Sequence, residues 1–161
     1  MLLRQLALAD IPEMLEVQRE AYEPSLHEPA SSFEEKLTLF PRGAIGAFEG
    51  GRLVAYAVTL AWRGSDVVPL SKAIGALPYE PDTIFIHDLA SSPARRGKGI
   101  AKVLVERIFA IAAEMSITKF SLVAVQGAEP FWARFGFQPV EAFLYAPGVP
   151  ATRMTLNRLL Q

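Results

Sequence analysis

The sequence predicts a mixed α/β fold in which helices cover both faces of one sheet. Three observations support this prediction. Apolar runs of strand length alternate with helical patterns, two of the runs are joined by a glycine turn, and no internal repeat or domain boundary interrupts the chain. Its 161 residues suit a single domain, spanning residues 1–161, with a sizeable core.

The N-terminal part of the chain predicts one strand, two helices and a hairpin. The predicted elements are a strand over residues 2–6, a helix from Asp10 to near Pro24, a helix from Ser32 to Pro41, and strands over residues 44–48 and 53–62. Asp10 and Ser32 are expected to cap their helices, because short polar side chains accept hydrogen bonds from the first turn. Gly50 and Gly51 supply the hairpin turn.

The C-terminal part predicts alternating strands and helices. The predicted elements are a strand over residues 83–90, a helix over 99–115, a strand over 120–125, a short helix over 130–134, and strands over 140–145 and 152–159. Apolar side chains recur at three- and four-residue steps over residues 99–115, so this helix buries one stripe. Residues 64–82 contain three prolines and little periodicity, and a segment of this kind is usually functional or disordered.

The composition indicates a soluble globular protein. Hydrophobic residues make up 51% of the chain, charged residues 20%, and the net charge is −1, so nothing attracts nucleic acid or an anionic membrane in general. Cysteine is absent, which removes disulfides, thiolate metal sites and cysteine nucleophiles. The first residues do not match a signal peptide, and no apolar run is long enough to span a bilayer. We therefore expect a cytoplasmic protein without nucleic-acid or membrane partners, whose apolar content leaves room for a homodimer.

The most informative stretch is Arg95-Arg96-Gly97-Lys98-Gly99-Ile100-Ala101, which we call the anion loop. It follows a predicted strand and opens a predicted helix. Its glycines let an anion approach the backbone, and the first free N–H groups of the helix point towards that anion. The loop therefore predicts a phosphorylated cofactor, with a solvated basic turn as the alternative. Two other phosphate-binding motifs fit the chain less well. A P-loop would need a hydroxyl residue after Lys98, where this chain has Gly99, and a dinucleotide fingerprint would need a third glycine.

Two motifs then identify a family. The segments Leu89-Ala90-Ser91-Ser92-Pro93 and Arg96-x-x-Gly99-x-Ala101 resemble the acetyl-CoA signature of the GNAT superfamily of N-acetyltransferases. The segment from Ala128 to Phe137 is similar to the second motif of that family, except that Trp132 stands where the family usually has tyrosine. The element order matches over essentially the whole chain. The resemblance implies a central mixed, mostly antiparallel sheet of six to seven strands, splayed at the cofactor site.

The resemblance also implies where acetyl-CoA binds. The pantetheine would insert between the two splayed strands and pair with the backbone of Leu89 and Ser91, and the pyrophosphate would rest on N–H groups of residues 97–101. The implied cofactor-binding residues are Leu89, Ala90, Ser91, Arg95, Arg96, Gly97, Lys98, Gly99, Ile100, Ala101, Lys102, Phe131, Trp132 and Arg134. We expect no metal ion at this site.

A general base of the family often lies on the strand over residues 83–90, where this chain has His87 and Asp88. Strand alternation sends these two side chains to opposite faces unless a bulge intervenes, and the sequence leaves open which face is the cleft. The alternative for His87 is a hydrogen-bonded histidine half-buried in the sheet, and the alternative for Asp88 is a carboxylate that fixes a neighbouring loop. The indole of Trp132 donates a hydrogen bond but is no proton source, so water or Tyr145 would protonate the leaving thiolate.

The acceptor side of the site carries less sequence signal. Tyr22, His27 and Trp62 are the predicted substrate-binding residues, the acidic group of Glu28 would suit a cationic amine, and residues 64–82 would form a wall. The resemblance implies acetyl transfer from acetyl-CoA to an amine of a small molecule or peptide. The alternatives are a regulatory domain that binds acyl-CoA without turnover and, more remotely, a nucleotide-binding module.

Overall fold

The computed structural model describes residues 1–159. Its regular elements are β1 (Leu2–Gln5), α1 (Ile11–Ala21), α2 (Ala30–Leu39), β2 (Ala44–Glu49), β3 (Arg52–Trp62), β4 (Thr83–Ser91), α3 (Ile100–Glu114), β5 (Lys119–Val125), α4 (Glu129–Ala133), β6 (Gln138–Ala146) and β7 (Val149–Asn157). The strands form one seven-stranded sheet in the order β1-β2-β3-β4-β5-β7-β6. The β4–β5 pair is parallel and the other five pairs are antiparallel. The predicted mixed, mostly antiparallel sheet is confirmed.

Helices cover both faces of this sheet, as the sequence predicts. The face of α1 and α2 buries Met14 and Phe33 against Tyr56 of β3. The face of α3 and α4 buries Leu104 and other apolar side chains of α3 against the central strands. Full burial of one such side chain stabilises the fold by about 1.5–3 kcal/mol. Among residues 1–159, every helix is too short or too polar to cross a bilayer.

The sheet opens between its two parallel strands. β4 and β5 pair only from Thr83 with Lys119 to Ile86 with Leu122, although β4 continues to Ser91 and β5 to Val125. Beyond Ile86, the backbone groups on the facing edges of the two strands therefore lack a ladder partner across the gap, and a buried polar backbone group requires one. This is the splay that the family resemblance predicts.

A β-bulge interrupts β4 at the same level. Val58 of β3 pairs with Asp88 while the next residue, Thr59, pairs with Ile86, so His87 is an extra residue on β4. Regular alternation would place Ile86 and Ala90 on one face of the sheet. Instead Ile86 packs in the core beneath α3 and Ala90 packs in the core beneath α1 and α2. The bulge therefore reverses the facing of the second half of the strand.

Two predicted caps have other roles in the structure. Helix α2 begins at Ala30, so Ser32 lies inside its first turn, and its hydroxyl donates to the carboxylate of Glu28 at 2.8 Å. Asp10 does precede α1, but its carboxylate makes no capping bond to that helix and accepts hydrogen bonds from the Ala7 N–H and from Arg4 instead. Both predictions of a cap fail because a nearby donor or acceptor competes for the side chain.

Candidate functional site

A cavity of about 980 Å³ opens where β4 and β5 diverge. It is lined by the second half of β4, the end of β5, the anion loop, the start of α3, and α4. Tyr22 and Glu28 contribute to it from the opposite face of the sheet. His87 and Ser91 lie four residues apart on β4, which corresponds to about 13 Å. One cavity thus joins the glycine-rich loop to a group of polar side chains on the same strand.

The predicted cofactor-binding residues converge on this cavity. All of them line it except Lys98. Trp132 is buried, and its ring packs edge-on against Phe131 and Phe137, at centroid distances of 5.0 Å and 5.4 Å. The structure thus gives Trp132 a packing position in the cavity wall.

The anion loop has the backbone that its glycines predict. Gly97 and Gly99 have φ values of 77° and 78°, in the left-handed region that side chains disfavour. A Cβ built on either glycine meets no atom within 4 Å, so the backbone is open to a ligand on that side. Gly99 immediately precedes α3, whose first N–H groups have no partner within the helix. Arg95 is engaged elsewhere, since its Nε lies 2.9 Å from a carboxylate oxygen of Glu49.

The bulge brings His87 and Asp88 to the same face. Nε2 of His87 lies 2.6 Å from Oε1 of Glu28, in the loop before α2, and Oδ2 of Asp88 accepts a hydrogen bond from the Tyr56 hydroxyl at 2.8 Å. Both partners belong to the side of the sheet that α1 and α2 cover, and both His87 and Asp88 line the cavity. The sequence leaves open which of the two side chains faces the cleft. Because of the extra residue, both lie on the face that α1 and α2 cover.

Glu28 is the centre of a buried polar cluster that the sequence did not predict. Its Oε2 accepts hydrogen bonds from the hydroxyl of Ser32 at 2.8 Å and the N–H of Ser71 at 2.7 Å. The ammonium of Lys36 lies 3.7 Å from the same oxygen and donates to Ser32 at 2.7 Å. Burial raises the pKa of Glu28, but the bond to His87 and the nearby charges outweigh it and hold the pKa at about 2.

Two tyrosines surround Asp88. Burial raises the pKa of the Asp88 carboxyl, and the bond from Tyr56 opposes this only in part. The Tyr22 hydroxyl donates to the carbonyl of Leu89 at 2.7 Å and lies beside Asp88. Burial, followed by the charge of Asp88, raises the pKa of both tyrosines well above the usual value. Tyr22 and Tyr56 are therefore hydrogen-bond donors at neutral pH.

The predicted acceptor residues separate in the structure. Tyr22 lines the cavity, whereas His27 and Trp62 do not. The Nε2 of His27 bonds to the carbonyl of Tyr22 at 2.7 Å, and Trp62 pairs with Thr83 at the start of β4, away from the splay. The prediction of both residues rests on their positions near the site in the sequence. The ring of His27 instead bonds to the end of α1, and β3 is long enough to carry Trp62 past the cavity.

Tyr145 and Gln126 complete the wall of the cavity. The Tyr145 hydroxyl donates to the carbonyl of Val68 at 2.8 Å, and burial raises the pKa of this tyrosine. The side chain of Gln126 accepts from the N–H of Glu23 and donates to the carbonyl of Ala21, at 2.9 Å and 3.0 Å. Gln126 thus ties the end of β5 to the end of α1, a contact with no sequence signal.

Comparisons with known proteins agree with this geometry. Residues 11–137 match the model of the acetyltransferase (GNAT) family. The chain is 30% identical over 107 residues to serotonin N-acetyltransferase of Mesocricetus auratus, a match that covers 65% of this chain and 50% of that protein. The chain thus spans about half the length of that curated relative.

Two solved structures share the fold. One is the GNAT-like decarboxylase GphF in complex with isobutyryl-CoA, with a TM-score of 0.82, 14% identity, and coverage of 98% of this chain and 99% of that chain. The other is the NatC complex bound to Gag peptide and CoA, with a TM-score of 0.75, 16% identity, and coverage of 98% of both chains. At these identities the likeness concerns the fold.

The buried carboxylate of Glu28 predicts a pH-dependent stability. The pKa of Glu28 is about 2 in the folded protein, against 4.5 for an unperturbed glutamate. Ionised Glu28 therefore stabilises the fold above pH 4.5, and this contribution is lost as the pH falls towards 2. We expect Glu28→Gln to lower the free energy of unfolding at pH 7 by about 3 kcal/mol. Urea unfolding should show this difference narrowing between pH 4.5 and 2.

Glu34→Gln is the matched control, because Glu34 lies exposed on α2, the helix that follows Glu28, and an exposed substitution changes stability little. A difference between wild type and Glu28→Gln that stays constant from pH 7 to pH 2 would contradict the assignment of an ionised, buried Glu28.

Proposed function

The chain belongs to the acetyltransferase (GNAT) family, and we propose that it transfers an acetyl group from acetyl-CoA to a primary amine of a small molecule or peptide. One observation carries this proposal: a single cavity at the β4–β5 splay joins an open, glycine-rich helix N-terminus to buried titratable side chains. The first of these features suits a phosphorylated donor, and the second suits proton transfer. The acceptor would attack the thioester directly while both substrates are bound.

The donor would lie along the splay. The unpaired edge of β4 at Leu89 and Ser91 offers backbone groups to the pantetheine, and the N–H groups that follow Gly97 offer donors to the pyrophosphate. Arg96, Lys102 and Arg134 line the cavity as cations for the remaining phosphate charge, while Arg95 is held by Glu49. Coenzyme A and an acyl-CoA are bound by the two proteins of this fold described above, which supports the same donor here.

The chemistry asks three things of the protein. The amine must lose a proton, the oxyanion must be stabilised, and the thiolate must leave. His87 and Asp88 are the side chains on β4 for the first step, and a backbone N–H of Leu89 or Ala90 would serve the second. Glu28 and Asp88 also line this end of the cavity, but contacts within the protein already engage both carboxyl groups.

The anion loop supplies the first test of this proposal. Saturating coenzyme A should raise the melting temperature of the wild type, because ligand binding to the folded state stabilises it. Gly99→Glu should abolish the shift, since the new carboxylate occupies the open side of the backbone and repels phosphate. Gly51→Glu is the matched control, because Gly51 has the same φ of 78° and the same open surroundings in the β2–β3 turn. An unchanged shift in Gly99→Glu would remove the loop from the cofactor site.

The activity itself is tested by coenzyme A release from acetyl-CoA over a panel of amino acids, polyamines, aminoglycosides and peptides. We expect one class to be acetylated, and the double variant His87→Ala, Asp88→Ala to lose about 100-fold or more in kcat. Retained turnover in that variant would exclude both side chains as the base. Binding of coenzyme A without turnover over the whole panel would instead support the alternative, a regulatory acyl-CoA-binding domain.

Tyr145 is the remaining side-chain candidate for protonating the leaving sulfur. Its hydroxyl already donates to Val68 and its raised pKa makes it a weak acid. Loss of a general acid lowers kcat by about 100-fold or more. We therefore expect Tyr145→Phe to lower kcat by far less than this. A loss of that size, at unchanged melting temperature, would assign the acid role to Tyr145.

A further inference from the structure

We propose that the acceptor of this protein is a small monoamine whose nitrogen is carried on a hydrocarbon body, and that Leu70 is the residue that selects it. The inference rests on the proposed function and deepens it by naming the class of acceptor. It also gives a role to residues 64–82, the segment with three prolines and little periodicity.

Leu70 is the one residue of this segment that lines the cavity in the part of the chain that the structure describes. Hydrogen bonds fix the backbone on both sides of it. The carbonyl of Val68 accepts from the Tyr145 hydroxyl at 2.8 Å, and the N–H of Ser71 donates to Oε2 of Glu28 at 2.7 Å. The side chain of Leu70 is therefore held against the cavity by its own backbone contacts, as a residue that selects a ligand requires.

A second carboxylate anchors the segment further along the chain. The two carboxylate oxygens of Glu35 accept from the N–H groups of Ile74 and Gly75, at 2.7 Å and 3.1 Å. These two bonds lower the pKa of Glu35, so the acceptor is ionised at neutral pH. Hydrogen bonds to an ionised acceptor are roughly twice as strong as neutral ones. Residues 64–82 are thus attached to the folded protein at two carboxylates, and the segment acts as a wall.

Aliphatic side chains lie next to each other where this wall meets the cavity. Leu26 lines the cavity as Leu70 does, and it lies two residues before Glu28. The carboxylate of Glu28 in turn binds Ser71, the neighbour of Leu70. Apolar surface of this kind stabilises a bound hydrocarbon in proportion to the area that leaves water.

The two tyrosines at this end of the cavity add aromatic rings to the same surface. Tyr22 and Tyr145 both line the cavity. Their hydroxyls already donate within the protein, to the carbonyls of Leu89 and Val68 at 2.7 Å and 2.8 Å. The surface that remains for an acceptor is therefore mostly carbon.

The carboxyl groups at this end are unsuited to bind a second ammonium. The side chain of Glu28 is only 2% exposed, and Lys36 lies 3.7 Å from its Oε2. The carboxyl group of Asp88 accepts from Tyr56, and burial raises its pKa. Apart from these and the wholly buried His87 ring, the charged residues that line the cavity within residues 1–159 lie in the anion loop, on α3, after α4 or after β7. A polycationic acceptor would leave its second charge unpaired here.

Hydrogen bonds between the walls favour a compact acceptor over a peptide chain. Gln126, after β5, bonds to Ala21 and Glu23 at the end of α1. Tyr145 of β6 bonds to the segment over residues 64–82. An extended chain that passed between these elements would have to displace one of the bonds.

Pentylamine and 1,4-diaminobutane are the sharpest pair of probes, because they have the same number of heavy atoms and differ in a terminal methyl group against an ammonium group. We expect kcat/KM for pentylamine to exceed that for the diamine by about 10-fold or more, since the methyl group gains from apolar contact and the ammonium loses water without a partner. Equal or faster acetylation of the diamine would overturn the inference. Acetylation of peptides alone, with neither amine accepted, would overturn it as well.

Leu70→Glu tests the residue itself. The new carboxylate should pair with the terminal ammonium, so the ratio of kcat/KM for pentylamine over the diamine should fall by about 10-fold or more, with the thermal shift by coenzyme A retained. Leu144→Glu is the matched control, because it makes the same change at a residue that is 67% exposed and outside the cavity. If Leu70→Glu does not fold, the uncharged Leu70→Gln should raise the KM for pentylamine and leave that for the diamine unchanged. A wild-type ratio in the variant that folds would exclude Leu70 as the selecting residue.

Conjugates of coenzyme A separate this inference from the proposed function. The sulfur is joined through an acetyl linker to either amine, so that calorimetry measures binding without turnover. We expect the pentylamine conjugate to bind about 10-fold or more tightly than the diaminobutane conjugate, with the preference lost in Leu70→Glu. Equal affinities would overturn the inference. If the preference is found and yet no amine is acetylated, the proposed function fails while the chemistry assigned to this end of the cavity stands.

Discussion

The site depends on the place where β4 changes its pairing with both neighbours. Ile86 is the last residue that pairs with β5, and His87 is the extra residue opposite β3. The first change opens the sheet and leaves backbone edges for a ligand. The second turns His87 and Asp88 to the same face and reverses the facing of the residues that follow. A uniform strand would provide neither the cavity nor the pair of titratable side chains beside it.

The polar cluster next to the bulge carries a cost in stability. Lys36, Ser32, Glu28 and His87 form a chain of contacts in the interior of the protein, where desolvation of each ion costs several kcal/mol. Direct bonds and compensating charges offset that cost, as the low pKa of Glu28 indicates. Replacement of such a cluster by apolar side chains of similar volume is often neutral or stabilising, so stability alone does not account for its presence.

The two ends of the cavity are built by different means. The anion loop uses backbone N–H groups and glycines, whose geometry is independent of side-chain packing. The proposed acceptor end consists of buried side chains contributed by α1, the loop before α2, β3, β4 and β6. The departure at Trp132 fits this division. Its ring packs into the wall of the cavity, on the opposite side of the sheet from the buried polar cluster around Glu28.

The sequence by itself determined the fold class, the order of the elements and the anion loop. These features depend on short-range patterns, namely apolar periodicity, turn glycines and a contiguous motif. Only the tertiary structure decided which polar side chains meet beside the bulge. Strand alternation assigned His87 and Asp88 to opposite faces, and one extra residue opposite Val58 and Thr59 reversed that result. The partnership of Glu28 with His87 joins residues 59 positions apart, and the displacement of Trp62 reflects strand length. Bulges and long-range contacts arise from packing between elements, so no local pattern in the chain encodes them.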